Sequence, residues 1–351
     1  MSNLQLWLAI LGGLVLVVVV AHSTWTSRQS QPKQAEPLVS QEELDALSAS
    51  SMADADSHAG HADQEFAHMP SELLVADTRS QLDALIDVIA TLELDSPVSG
   101  EAAMAAMPPI RRVGNKLFVV EGLNADSGEW EALQAQRYYS AFQAGVQVAN
   151  RQGPLNDIEY SEFVVKTQAF AEVFASTPEF PDMHEVIAQA RELDQFASAH
   201  DAQLSFTLQS RKAAWSPGYV QQQAARMGFV PGVIPGRMVV AAVTPGLPPV
   251  LVLTFDARAA MAEDPNQAAL RSISMSLDVP QVAQAEQAFS RLCEAAQGLA
   301  QAMDGLVTDD NGQPLSEAAI LMIDHDLRSL YDALAARDLP AGSLQARRLF
   351  S

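Results

Sequence analysis

Leu204, Phe206 and Leu208 alternate with Ser205, Thr207 and Gln209, the two-residue period of a strand with one buried face. Ser216-Pro217 predicts a helix start, because serine caps the first free N–H groups and proline suits the first turn. That helix runs to Met227, and Gly228 ends it. Strands are predicted over Met238–Val243 and Val250–Phe255, joined by Thr244-Pro245-Gly246-Leu247-Pro248. Ser272–Val279 alternates again, with Ile273, Met275 and Leu277 against Ser272, Ser274 and Ser276. From about Ala285 to Met303, Phe289, Leu292, Cys293, Ala296, Leu299, Ala300 and Met303 recur at helical spacing. Gly305–Thr308 predicts a short strand and Asp310-Asn311-Gly312 a turn. Ser316 caps a last helix, whose buried side is Ile320, Ile323, Leu327, Leu330, Tyr331 and Leu334. The order is βαβββαβα, an antiparallel sheet with helices on one face, in the α+β class.

Residues 82–199 predict an earlier α+β unit that repeats much of this order in degenerate form. Ile86, Val88, Ala90, Leu92 and Leu94 alternate as a first strand, and Ser99-Gly100-Glu101 leads a short helix that Pro108-Pro109 ends. Leu117–Val120 is a second strand, and Phe142, Ala144, Val146 and Val148 mark a third. A helix near Ser161–Ala175 carries Phe163, Phe170 and Phe174. Another starts at Pro181 and turns Val186, Ala190, Leu193 and Phe196 inward.

Ahead of both lies an uncharged apolar run, Leu4–Ala21, with Gln5 its one strongly polar side chain. As a helix it measures roughly 27 Å, close to the ~30 Å hydrocarbon thickness, and Trp25 follows at interfacial depth. A cleaved secretory signal is the alternative. Against it, no Lys or Arg precedes the run, which exceeds the usual ~7–15 apolar residues. The first cations, Arg28 and Lys33, come after the run, so the bulk is expected on the cytoplasmic side with the stub 1–3 outside. Residues 22–81, rich in Ser, Ala, Gln, Asp and Glu, sustain no apolar period and are expected to be a disordered acidic linker reaching roughly 40 Å. Residues 337–351 are read as a tail.

Composition narrows the chemistry. With 21 Lys plus Arg against 43 Asp plus Glu, the net charge is −22, which argues against binding a nucleic-acid backbone. Cys293, the one cysteine, excludes an internal disulfide framework and sits in an apolar helical stripe, as an inert core thiol does. His58, His61 and His68 lie among acidic residues, but at no closed-site spacing, so a solvated linker is favoured over a metal site. Asp309, Asp310, Asp324 and Asp326 read as solvated carboxylates. There is no Gly-rich phosphate loop, HExxH or GxSxG, so neither an enzyme, a cofactor, a metal nor a small-molecule substrate is expected.

The parts together resemble the ZipA family of bacterial cell-division proteins. The resemblance lies in Met1–Leu6 and the apolar run with Gly12-Gly13, similar to the family's anchor, and in Ser216–Phe229. It is most specific in Leu277-Asp278-Val279-Pro280 with the helix after it, and in Gly305-Leu306-Val307-Thr308-Asp309-Asp310 with the last helix. It covers the anchor, the linker layout and roughly residues 203–336, but not 82–199. The resemblance implies a ZipA-like split β-α-β domain at 200–336 that binds the C-terminal tail of FtsZ, the tubulin-like GTPase of the division ring, on the sheet face opposite the helices. It implies a single-pass inner-membrane protein at the division site, held in the lipid bilayer through residues 4–21. The strand positions expected to face outward are Met238, Val240 and Ala242, then Val250, Val252 and Thr254, then Ser274 and Ser276, with Gln203, Ser205 and Thr207 on the first strand. Met238, Val240, Val250 and Val252 are the expected apolar centre, although the first and fourth strands offer Gln and Ser where the family has larger apolar side chains. A one-residue slip would swap the faces. The alternative is an adaptor for a different protein partner, bound by the acidic 82–199 unit.

Overall fold

The computed structural model describes residues 32–34, 80–262, 268–310 and 312–351. The expected membrane helix 4–21 and the histidines at 58, 61 and 68 lie outside the described residues, as does nearly all of the expected linker. Among the described residues no helix is long and apolar enough to cross a membrane, and no three side chains are grouped to hold a metal ion. The described residues form two compact units, 80–202 with 330–351, and 32–34 with 203–329. Both are α+β with antiparallel sheets.

In residues 80–202 the elements are β1 (Asp87–Ser99), α1 (Gly100–Ala106), β2 (Arg112–Val113), β3 (Lys116–Asn124), β4 (Trp130–Ala132), β5 (Tyr138–Gln147), β6 (Ala149–Asn150), β7 (Gly153–Pro154), α2 (Asp157–Glu172) and α3 (Met183–His200). The main sheet has the order β1-β5-β3-β2, with β4 on β3. The alternation read from Ile86 to Leu92 holds, since all four apolar residues are buried, with Val88, Ala90 and Leu92 opposite Val146, Ala144 and Phe142 of β5. Rings from α2 and just past its end fill the space above: Phe142 lies 5.3 Å from Phe170 and 5.4 Å from Phe174, and Phe118 6.2 Å from Phe163. α2 begins at Asp157 rather than near Ser161, because Asn156 accepts from the N–H groups of Ile158 and Glu159 while Glu159 accepts from Asn156 N, a reciprocal cap. The same Glu159 carboxylate takes the buried Lys116 ammonium at 3.1 Å, so cap and ion pair share one side chain. Gly100 is required by space, as a Cβ there would stand 1.8 Å from the backbone oxygen of Gln134.

The second unit contains β8 (Gln203–Ser210), α4 (Pro217–Arg226), β9 (Val230–Pro231), β10 (Arg237–Val240), β11 (Leu251–Thr254), α5 (Ala257–Ala260), β12 (Ser272–Asp278), α6 (Ala288–Met303), β13 (Gly305–Thr308) and α7 (Glu317–Ala335), the last counted here to Ser329. The expected order is present with β9 and α5 added. Its sheet runs β13-β8-β12-β11-β10-β9, so the first strand sits between the second-last and last strands, whereas β1 of the other unit lies at an edge. The two units therefore do not share a sheet order. Phe206, Leu208, Ile273, Met275 and Leu277 are buried on the face that meets α6, through Phe289, Leu292, Ala296, Leu299 and Met303. Of the buried side expected for α7, Leu327 and Leu334 are buried, while Ile320, Ile323, Leu330 and Tyr331 are half-buried.

Two expectations about flexible segments need correction. Lys33, placed in the linker, is docked: its N–H donates to Ala214 O at 2.7 Å, its carbonyl accepts from Ser216 N at 2.9 Å, and its Nζ donates to Met303 O at 2.9 Å. Residues 337–351, read as a tail, belong to the core of the earlier unit through α8 (Leu344–Leu349). Leu339, Ala346, Leu349 and Phe350 are buried there with Leu334. Burial of this apolar set outweighs the ordering cost of a short segment. Arg348 adds a paired guanidinium: its Nη2 meets Asp87 Oδ1 at 2.6 Å and its Nη1 meets Oδ2 at 2.8 Å.

Candidate protein-binding face

Backbone pairing decides which side chains the second sheet leaves uncovered. Val239 of β10 pairs with Val230 on one side and Val252 on the other; Val252 pairs with Ser276, and Ser276 with Ser205. Residues paired across antiparallel strands share a face, so Val230, Val239, Val252, Ser276 and Ser205 form one row. The next row is Arg237, Thr254, Ser274, Thr207 and Thr308. Val230 and Thr254 are exposed, and Val239, Val252, Ser274 and Ser276 half-buried. Ser205 and Ser274 tie β8 to β12 through their hydroxyls at 3.0 Å.

Of the expected positions, Val252, Thr254, Ser274, Ser276, Ser205 and Thr207 are thus on the open face. Met238 and Val240 are not: they are 2% and 7% exposed, paired with the buried Leu253 and Leu251. The pairing of Val239 with Val230 and Val252 sets β10 one residue out of the expected phase, so each of its side chains is on the opposite side. Val250 precedes β11 and is 1% exposed, with its N–H donating to Val240 O at 2.8 Å. Val239, Val230 and Arg237 were missed. Residues 238–243 are apolar throughout and carry no alternation to read, but the Pro-Gly pairs at 231–232 and 235–236 mark the hairpin that sets the register.

A shallow groove of about 450 Å³ opens on this face, lined by Val252 and Ser276 with Pro248, Pro249 and Val250 along one side. Its charged residues are Arg237 and Asp278. Arg237 Nε is shielded from solvent and has no hydrogen-bond partner. Of the four aspartates read as solvated, Asp324 pairs with Arg328 at 2.6 Å and Asp309 accepts from Gln313 N at 2.8 Å. Cys293 lies half-buried on α6, and burial pushes its thiol up to about 11, with Asp324 and Glu294 adding to the shift.

Residues 257–326, from α5 through β12, α6 and β13 into α7, match the family model of the ZipA C-terminal FtsZ-binding domain. The match lies wholly within the C-terminal unit and supports the resemblance of that unit to the ZipA family. ZipA's C-terminal domain is a protein-binding domain, not an enzyme family, and belongs to cell division. The matched span includes the Ser274 and Ser276 strand of the open face, whereas Val230, Val239 and Val252 precede it. No curated protein matches the chain.

Proposed function

We propose that this chain is a cell-division scaffold that binds the C-terminal tail of FtsZ on the open face of β10, β11 and β12. The observation that carries it is the apolar row Val230, Val239 and Val252 left uncovered within the unit that the ZipA family model matches. Adjacent valines half-open to water are costly to leave on both faces of a sheet, and an apolar partner segment removes that cost. The uncharged run 4–21 supplies the membrane anchor, so that the scaffold tethers FtsZ polymers to the inner membrane from the cytoplasmic side at the division site. Tethering raises the local concentration of the binding face, and many modest contacts then hold a filament.

The test is calorimetry of the full chain in detergent micelles with an FtsZ tail peptide. Binding is expected, and Val252→Asp is expected to weaken it about tenfold or more, because a carboxylate would be desolvated in the apolar row. A wild-type chain that takes up no peptide overturns the proposal.

A further inference from the structure

Arg237 poses a problem that the apolar row does not solve. Its side chain lines the open-face groove beside Val252, and its Nε–H is shielded from water with nothing to donate to. A buried donor without an acceptor is destabilising, more so on a charged group, and native folds rarely keep one without a use. The groove walls around it are Val250, Pro248 and Pro249, which offer no carboxylate. Asp278, the acidic residue in the lining, stands on β12, two strands away from β10. The guanidinium thus lines a groove with Val250, Val252, Pro248 and Pro249, in a chain of net charge −22, where a cation offsets the overall repulsion of an anionic partner.

We propose that Arg237 is the charge-reading residue of this groove, pairing with an acidic side chain of the docked peptide. The proposal rests on the docking reading above and adds the chemistry that sets the peptide's register. The valine row accepts any apolar segment, and the guanidinium accepts only one that places a carboxylate beside its apolar residues. A planar guanidinium can meet a carboxylate with two parallel N–H donors, which fixes orientation as well as energy. Asp278 at the other side of the groove disfavours an acidic residue there, so the pair gives the peptide a direction.

The experiment uses the full chain in micelles, the FtsZ tail peptide, and the same peptide with every Asp and Glu replaced by Asn and Gln. Arg237→Gln is expected to weaken the native peptide about tenfold and to flatten the salt dependence of its affinity. The neutralised peptide is expected to bind wild type and Arg237→Gln alike. Thermal unfolding should leave Arg237→Gln as stable as wild type, since an unmet donor is removed; Arg237→Met, which keeps the aliphatic stem, repeats the test should the glutamine variant fail to fold. Unchanged affinity, or an equal loss with both peptides, overturns the proposal while Val252→Asp still reports docking. A wild-type chain that binds neither peptide overturns the docking reading and this proposal with it.

Discussion

Removing the Arg348 guanidinium should unsettle the N-terminal unit from its C-terminal end. The Asp87 side chain is wholly buried and Arg348 is nearly so, joined by two parallel contacts of 2.6 and 2.8 Å. Gln147 Nε2 further donates to the Arg348 carbonyl at 2.6 Å. Arg348→Ala leaves a carboxylate in the core without its counter-charge, a change that costs about 3–5 kcal/mol and roughly 10 °C of thermal midpoint for a unit of this size. Burial already raises the Asp87 carboxyl from its ordinary value, against the lowering effect of Arg348. A folded value above the unfolded one means that stability from this group is fullest at low pH and is lost as pH rises through the folded value. Without Arg348 the carboxyl moves further up, so the deficit of the variant is largest near pH 7. It narrows as pH falls through the carboxylate range, where both proteins hold a neutral acid. Hydrogen exchange read by mass spectrometry on peptides from β1, β5 and α8 measures this unit apart from the other. Unchanged protection at pH 7, or a deficit that grows on acidification, refutes the argument.

Two further outcomes follow from local geometry. Gly100→Ala should destabilise the same unit by about 3 kcal/mol in urea unfolding, because the added methyl meets the Gln134 backbone oxygen at 1.8 Å and backbone cannot swing aside. Cys293 should alkylate about a hundredfold more slowly at pH 8 than an unperturbed thiol, since a rise from 9.0 to about 11 cuts the thiolate population by that factor. Iodoacetamide labelling of the intact chain, compared with the urea-unfolded chain, measures it.

Much of the architecture was legible where side chains alternate against serine or threonine. Leu204-Phe206-Leu208 and Ile273-Met275-Leu277 declare both strand and buried face, because each apolar residue is flanked by polar ones. The helix carrying Phe289, Leu292 and Leu299 is legible for the same reason at a longer period. In residues 238–243 both faces of the segment are apolar, so periodicity names a strand without naming its sides. Gly236 and the pairing of Val239 with Val230 and Val252 choose them. The candidate site fails to be legible at that point, and Arg237 fails with it, since a lone arginine after a Pro-Gly turn looks like any solvated cation until the groove closes around its Nε.

The sequence by itself determined the class of both units, the identity of most strands and helices, and the likeness to the ZipA family, because those depend on spacing along the chain. Only tertiary structure decided that Val239 rather than Met238 faces outward, that Lys33 is held by Ala214, Ser216 and Met303, and that Leu349 and Phe350 complete a core begun at Ile86. Each of these depends on a partner far away in sequence. Hydrogen-bond pairing and burial select such partners, and a short local window of residues carries no trace of the choice.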